Sequence, residues 1–179
     1  MNLKEKQLSR ECMFKGKIIT VYKDEALLPD GKTATREVIA HNGGVCVLPI
    51  NENNEVFLVE QFRYPYNEVI EEIPAGKRDS LDEEPLATAK RELKEEIGAT
   101  AKNHTFLGEL YPTPGYCGEI IYMYLATDLS FGKSCPDPDE FLNVKKYTFD
   151  EVIKKVLSGE IKDAKTQIAV LKAAQILKK

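Results

Sequence analysis

Pro85-Leu86-Ala87-Thr88-Ala89-Lys90-Arg91-Glu92-Leu93-Lys94-Glu95-Glu96-Ile97-Gly98 is the most clearly periodic stretch of this 179-residue chain, and its period is helical. At about 100° per residue, Leu86, Ala89, Leu93 and Ile97 fall on one narrow stripe, the face a core would cover. Pro85 suits the first turn of such a helix and Gly98 its C-terminal stop. Glu92 and Glu96, at i and i+4, lie along one border of the stripe. Glu95 comes next round the helix, and Arg91 stands one turn before it. Three carboxylates so close repel one another, and like charges at i and i+4 are mildly destabilising. Hard divalent cations with oxygen ligands would offset that repulsion, and Arg91 would neutralise and orient one carboxylate. Taken alone, these residues read more readily as a solvated helix face, because Glu and Lys are common surface helix formers.

Outward from this helix the chain alternates turns and extended runs. Upstream, Ile18 to Tyr22 and Glu25 to Leu28 are strand-like. They lead through the turn Pro29-Asp30-Gly31-Lys32 to a second run, Thr33 to Ala40. The first fifteen or so residues are polar and mixed, without a period. Val45 to Ile50 reads as a buried strand, Asn51 to Asn54 as a turn and Val56 to Phe62 as the returning strand. Glu68 to Ile73 is a further strand, broken at Pro74-Ala75-Gly76. Downstream, strands are expected at Thr105 to Tyr111, Ile120 to Thr127 and Phe141 to Phe149, with a loop from Asp128 to Asp139. Helices over Asp150 to Ser158 and Ala164 to Lys178 close the chain, the first ending at Gly159. The pattern gives an α+β chain: residues 1–42 form an N-terminal β element and residues 43–179 the main domain.

Composition narrows the function classes. Hydrophobic residues are 42% and charged residues 30%, ordinary for a soluble globular protein. A net charge of −4 gives no electrostatic reason to expect nucleic acid or an anionic membrane as partner. A phosphate-bearing substrate would therefore need bound cations or a few placed arginines. Cys12, Cys46, Cys117 and Cys135 form no close C-x-x-C pair, and His41 and His104 fit no zinc-ligand spacing. Cys46, in the run Gly44 to Leu48, reads as a small core hydrophobe. The start Met1-Asn2-Leu3-Lys4-Glu5-Lys6 lacks an apolar signal region and no stretch reaches membrane-spanning length, so a cytoplasmic protein is expected.

One wider pattern changes the weight of the helix. Gly76 and Glu83 precede Arg91-Glu92-Leu93-Lys94-Glu95-Glu96-Ile97-Gly98-Ala99, and Glu83 stands eight residues before Arg91. This resembles the Nudix box: a glycine, five residues, a glutamate, seven residues, then R-E-U-x-E-E-x-G-U, with U bulky or aliphatic. The chain departs from it twice. Six residues separate Gly76 from Glu83, and the last position is the small Ala99. A five-residue gap would put Asp82 in the glutamate position. Glu83 keeps the spacing to Arg91 and leaves the extra residue in the loop Lys77 to Leu81, where an insertion does not disturb a helix register. The resemblance implies a Nudix fold, an α/β/α sandwich with a mixed central sheet and a loop-helix-loop. It also implies one to three Mg²⁺ ions (Mn²⁺ substituting) held by Glu92, Glu95 and Glu96, with Glu83 and the Ala75 carbonyl as further ligands.

Flanking segments resemble the ADP-ribose pyrophosphatase branch of that family. They are Arg36 to Val45, Gln61 to Pro65, Glu71 to Gly76, the Pro112 to Glu119 segment with Pro114 fifteen residues beyond Ala99, and Asp163-Ala164-Lys165-Thr166. The branch implies hydrolysis of ADP-ribose to AMP and ribose 5-phosphate by a homodimer. Arg36 and Glu37 would hold the adenine end, Arg63 a phosphate or ribose, and Glu72 would lie beside the substrate together with Pro114 and Gly115. Arg91 and Glu95 would serve the chemistry, and His41 would be structural. The general base would come from the loop Ser134 to Glu140, with Glu140 first and Asp139 second. Another nucleoside diphosphate sugar, an oxidised nucleotide, or a non-cleaving nucleotide-binding module are the alternative readings. The retained glutamates argue against the last.

Overall fold

A computed structural model describes residues 2–138 and 140–177. It divides into two compact units, Met1–Gly43 with Tyr111–Ile120, and Gly44–Leu110 with Ile121–Lys179.

The first unit is an antiparallel meander of β1 (Lys6–Lys15), β2 (Thr20–Leu27) and β3 (Thr33–Ala40). Its β2–β3 turn is the expected one: Leu28 N donates to Lys32 O at 2.7 Å, and Gly31 takes φ +86°, a conformation natural to glycine. The two runs expected before that turn are one strand. β1 was not legible in sequence, because every residue in it is exposed and two register shifts interrupt its alternation. No apolar period marks such a strand.

The second unit is an α/β/α arrangement. β4 (Gly44–Pro49), β7 (Ala75–Lys77), β9 (Ile121–Phe131) and β8 (Ala99–Leu110) form a mixed sheet in the order β7-β4-β9-β8, with β4 and β9 parallel. β5 (Glu55–Arg63), β6 (Glu68–Glu72) and β10 (Leu142–Thr148) form an antiparallel sheet in the order β10-β5-β6. The pleat sorts side chains to two cores. Val45, Val47, Val59, Tyr124 and Ala126 meet α1 (Pro85–Ile97) through Ala89, Leu93 and Ile97. Cys46, Leu48, Val56, Leu58, Met123 and Leu125 meet α2 (Phe149–Leu157) and α3 (Ala164–Leu177). Buried on both faces, β4 shows the continuous apolar run its sequence displays.

The largest departures from the sequence reading lie at β8, at β9 and at the break before β7. β8 starts at Ala99, six residues earlier than expected, and β9 runs to Phe131 through part of the expected loop. Ala99, paired with Phe131, and Ala101, paired with Leu129, pack toward the α1 core, but the polar residues between them leave no continuous apolar run to read. The break at Pro74-Ala75-Gly76 is a change of sheet. The pairing of β6 ends at Glu72, two residues before Pro74, and Ala75 begins β7 against Cys46. The last residue of the expected C-terminal helix, Lys178, lies outside the described residues. Among these residues no helix is long and apolar enough to cross a membrane.

Candidate active site

The helix α1 begins as its sequence requires. The Glu84 side chain accepts from Ala87 N at 2.8 Å as N-cap, and Pro85 occupies the first turn. Gly98 ends it at φ +68°, where a Cβ would lie 2.5 Å from Gly132 O. The following loop is fastened to that end. Gly132 N donates to Gly98 O at 2.8 Å and Cys135 N to Glu95 O at 2.9 Å.

Glu92 and Glu96, on the border of the core stripe, are only 6% and 4% exposed. Gly76 is needed for space alone, since a Cβ there would lie 2.0 Å from the Glu92 carboxyl carbon. Ala75 N donates to Glu96 Oε2 at 3.2 Å. Burial, with repulsion from neighbouring carboxylates including Glu140, pushes Glu92 up to about 7 and Glu96 up to about 8. The field of Glu140 reaches both carboxyls, and its backbone N donates to Asp137 O at 2.9 Å. Asp139 lies outside the described residues.

Arg91 is the cluster's own cation. Its Nη1 lies 2.7 Å from Glu92 and 2.8 Å from Glu95, its Nη2 lies 3.9 Å from Glu83, and Nη2 donates to Lys77 O at 3.3 Å. Glu83 accepts from Asp79 N at 2.6 Å. Burial alone would raise the Glu83 carboxyl, but the Asp79 amide, Thr88, Arg91 and Arg78 outweigh it and hold it below its ordinary value. Asp82, the other candidate for this position, is exposed.

Sequence reasoning assigned no role to Arg78, which folds the loop containing the extra residue. Its guanidinium, buried in the fold, donates to Glu83 O at 2.9 Å and 2.5 Å and to Leu81 O at 2.5 Å. An arginine beside an insertion is the one local signal it left.

Among the described residues no three His, Cys, Asp or Glu side chains converge in metal-ligand geometry; Arg91 shares Glu92 and Glu95 instead. The donor chemistry nonetheless fits a hard divalent cation. Two buried carboxyls are held far above their ordinary range, and one arginine is shared among Glu83, Glu92 and Glu95.

Arg63 grips Glu72, with Nε and Nη2 at 2.6 Å and 2.8 Å, and Lys165 bonds the same carboxylate. The remaining candidates belong to the first unit. Arg36 pairs bidentately with Glu5 at 2.9 Å and 2.6 Å, and Glu37 is exposed. Pro114 and Gly115 are exposed in a turn closed by Cys117 N to Thr113 O at 3.0 Å. That segment is tied to β3 by Ile39 N to Tyr116 O at 2.8 Å and Gly118 N to Ile39 O at 2.9 Å. His41 Nδ1 accepts from Gly43 N at 3.0 Å and lies 3.5 Å from Glu119, within the same unit. All four cysteines are free, and burial pushes the Cys46 thiol up to about 12, leaving it inert.

This fold, with its glutamate helix, is that of a Nudix hydrolase, and the chain belongs to that family: the NUDIX domain profile matches residues 40–168. A second profile, the nucleoside diphosphate sugar hydrolase N-terminal domain, matches residues 5–39, and the chain falls in the branch that includes ADP-ribose pyrophosphatases. It is 42% identical over 171 residues to the ADP-ribose pyrophosphatase of Bacillus subtilis (strain 168), covering 94% of this chain and 92% of that one. It is 38% identical to the methanol dehydrogenase activator of Bacillus methanolicus, covering 93% and 90%. A solved structure described as an ADP compounds hydrolase superposes with a TM-score of 0.87 at 22% identity, covering 99% of this chain and 97% of that one, a likeness of fold.

Proposed function

We propose that this chain hydrolyses the pyrophosphate bond of ADP-ribose to AMP and ribose 5-phosphate, with Mg²⁺ as cofactor and Mn²⁺ able to substitute. The observation that carries this reading is the pair of buried, under-neutralised carboxylates Glu92 and Glu96 on the motif helix. It occurs in a chain whose similarity to an ADP-ribose pyrophosphatase runs nearly end to end. Glu92, Glu95 and Glu96 hold the ions, with Glu83 and the Ala75 carbonyl as further ligands. When bound, divalent ions neutralise diphosphate charge, acidify a coordinated water and stabilise the departing phosphate oxygen.

The chain's own residues supply the rest. Arg91 orients Glu92 and Glu95. Glu140 takes a proton from the attacking water as the new P–O bond forms and the bridging P–O bond breaks, the departing phosphate keeping the bonding pair. Arg63 meets the diphosphate or a ribose, its planar fork suited to anionic oxygens, with Glu72 beside it. Arg36, Glu37, Pro114 and Gly115 meet the nucleoside. Residues 1–42 act as a dimerisation and substrate-contact element and residues 43–179 as the hydrolase domain. The protein works as a cytoplasmic homodimer on a small-molecule substrate, without nucleic acid or membrane.

The test is a product assay with ADP-ribose and Mg²⁺ beside a panel of other nucleoside diphosphate sugars and triphosphates. Preferential release of AMP and ribose 5-phosphate supports the reading. Preferential cleavage of another panel member rejects the substrate but keeps the glutamate chemistry; no cleavage at all rejects both. Glu140→Gln should lower kcat by about 10²-fold or more while leaving metal affinity within a few-fold; unchanged turnover removes Glu140 from the proton transfer.

A further inference from the structure

Glu72, at the end of β6, is 2% exposed and is held by two cations rather than one. Arg63 already satisfies it bidentately. Lys165, from the first turn of α3, bonds Glu72 Oε2 as well and lies 2.9 Å from Asp163 Oδ1. The Lys165 side chain is itself only 11% exposed. Asp163 is fixed in turn: its Oδ2 accepts from Thr166 N at 2.9 Å and from Thr166 Oγ1 at 2.5 Å. Thr166 Oγ1 also accepts from Ile73 N at 2.9 Å, the residue next to Glu72.

Burying an ammonium is costly before its partners repay it, and well-packed apolar side chains often serve stability better. A second buried cation on a carboxylate that already has a bidentate arginine therefore calls for another reason. The charge balance supplies one. Without Lys165, the carboxylates of Glu72 and Asp163 would face Arg63 alone, and the field of Glu96 reaches Arg63 too. Arg63 would then be outnumbered by negative charge and would present little attraction to an anion. With Lys165 in place, the Arg63 side chain is 39% exposed, and among the described residues its Nη1 makes no hydrogen bond.

We propose that Lys165 is a positioning residue for the anionic substrate: by sharing Glu72 it fixes the orientation of the Arg63 guanidinium and keeps that guanidinium from being outnumbered by negative charge where it faces a diphosphate. This deepens the function proposed above, resting on the assignment of Arg63 to the substrate, and it gives the Asp163-Ala164-Lys165-Thr166 motif a task. Lys165 touches neither substrate nor reacting atoms; it acts through Glu72.

The test compares wild type with Lys165→Met, Lys165→Arg, Glu72→Gln and the double variant E72Q/K165M. Steady-state kinetics are measured on whichever panel diphosphate the wild type cleaves best, and ADP-ribose affinity is measured by calorimetry in chelator, where no turnover occurs. K165M should raise KM and Kd about tenfold, with kcat within threefold, since the lost interaction is with bound substrate in ground and transition state alike. K165R should recover most of the affinity. The double variant should bind closer to E72Q than the sum of the two single effects would place it, because the lysine acts mainly through Glu72 and only Asp163 is left to it in E72Q. Both buried charges are absent from the double variant, so it remains a folded comparison if K165M alone melts. A K165M affinity within twofold of wild type, or effects of K165M and E72Q that simply add, would overturn the proposal. A wild type that ignores ADP-ribose but cleaves another diphosphate sinks only the substrate assignment, because the lysine comparison is then read on that other substrate.

Discussion

Two buried carboxylate clusters stand in the second unit of this protein, and they are balanced in opposite ways. Around Glu72 the protein supplies its own cations: Arg63 and Lys165 face Glu72 and Asp163, one positive charge for each negative one. On α1, Glu92 and Glu96 are nearly as enclosed, yet only Arg91 is at hand, and it is shared with Glu95 and Glu83. Burial, followed by the repulsion of neighbouring carboxylates, raises Glu92 to about 7 and Glu96 to about 8. A balanced cluster is architecture that tunes what its arginine presents. An unbalanced one leaves negative charge that a bound cation would offset, which is what the proposed hydrolysis of an anionic diphosphate asks of metal ligands.

The largest effect should come from removing charge on the unbalanced side. Glu96→Gln should lower kcat/KM on the order of 10³-fold, because under the proposed function it removes a buried ligand for the ions that would stabilise the departing oxygen. Steady-state kinetics at saturating Mg²⁺ checks this, and a loss below tenfold would mean that Glu96 is not a metal ligand. The same change on the balanced side should act on stability. Glu72→Gln leaves Lys165 and Arg63 without their shared carboxylate and should cost about 3 kcal/mol, read from urea unfolding in chelator. If E72Q proved as stable as wild type, the two clusters would not differ in the way described.

How much of this contrast a reader of the sequence could foresee depends on how far apart the partners lie. The helix α1 and the border position of Glu92 and Glu96 follow from a helical period sustained over thirteen residues, and the helix occupies the predicted span. Gly76 could be marked as a motif position, but its steric reason, the Glu92 carboxyl against its Cα, appears only in three dimensions. Lys165 was quoted in its motif and given no role, since the carboxylate it bonds is 93 residues away. β1 was invisible for the opposite reason: fully exposed, it carries no burial pattern to read. Local periodicity reports burial; it does not report which charges a fold will set against each other.

The unbalanced cluster should also announce itself in the pH dependence of stability. Glu96 has its carboxyl raised from 4.5 to about 8, so between those values the folded protein binds more protons than the unfolded one. Stability contributed by that proton is present below the unfolded value and is lost as pH rises through about 8. In chelator, the unfolding free energy should therefore fall by about 3 kcal/mol between pH 5.5 and 8.5, and E96Q should flatten most of that slope. Saturating Mg²⁺ should reverse the sign for wild type, since ions prefer the deprotonated ligands and stabilise the fold by mass action. A flat profile in chelator would show that the cluster finds its compensation within the protein after all.

The smallest effect probes how the balanced cluster is held. Thr166 is fully buried, and its hydroxyl both donates to Asp163 and accepts from Ile73 N. Thr166→Val preserves the shape but leaves the Ile73 N–H and one Asp163 oxygen short of a partner, which should cost about 1.5 kcal/mol. Thr166→Ser keeps the hydroxyl and loses a buried methyl, which should cost about 0.8 kcal/mol. Neither change removes a charge, so ADP-ribose affinity should move less than in K165M even where the unfolding midpoint moves more. Should T166V weaken substrate binding as much as K165M does, the cluster would be acting through the placement of the β6 strand end, and the charge of Lys165 would lose its separate meaning.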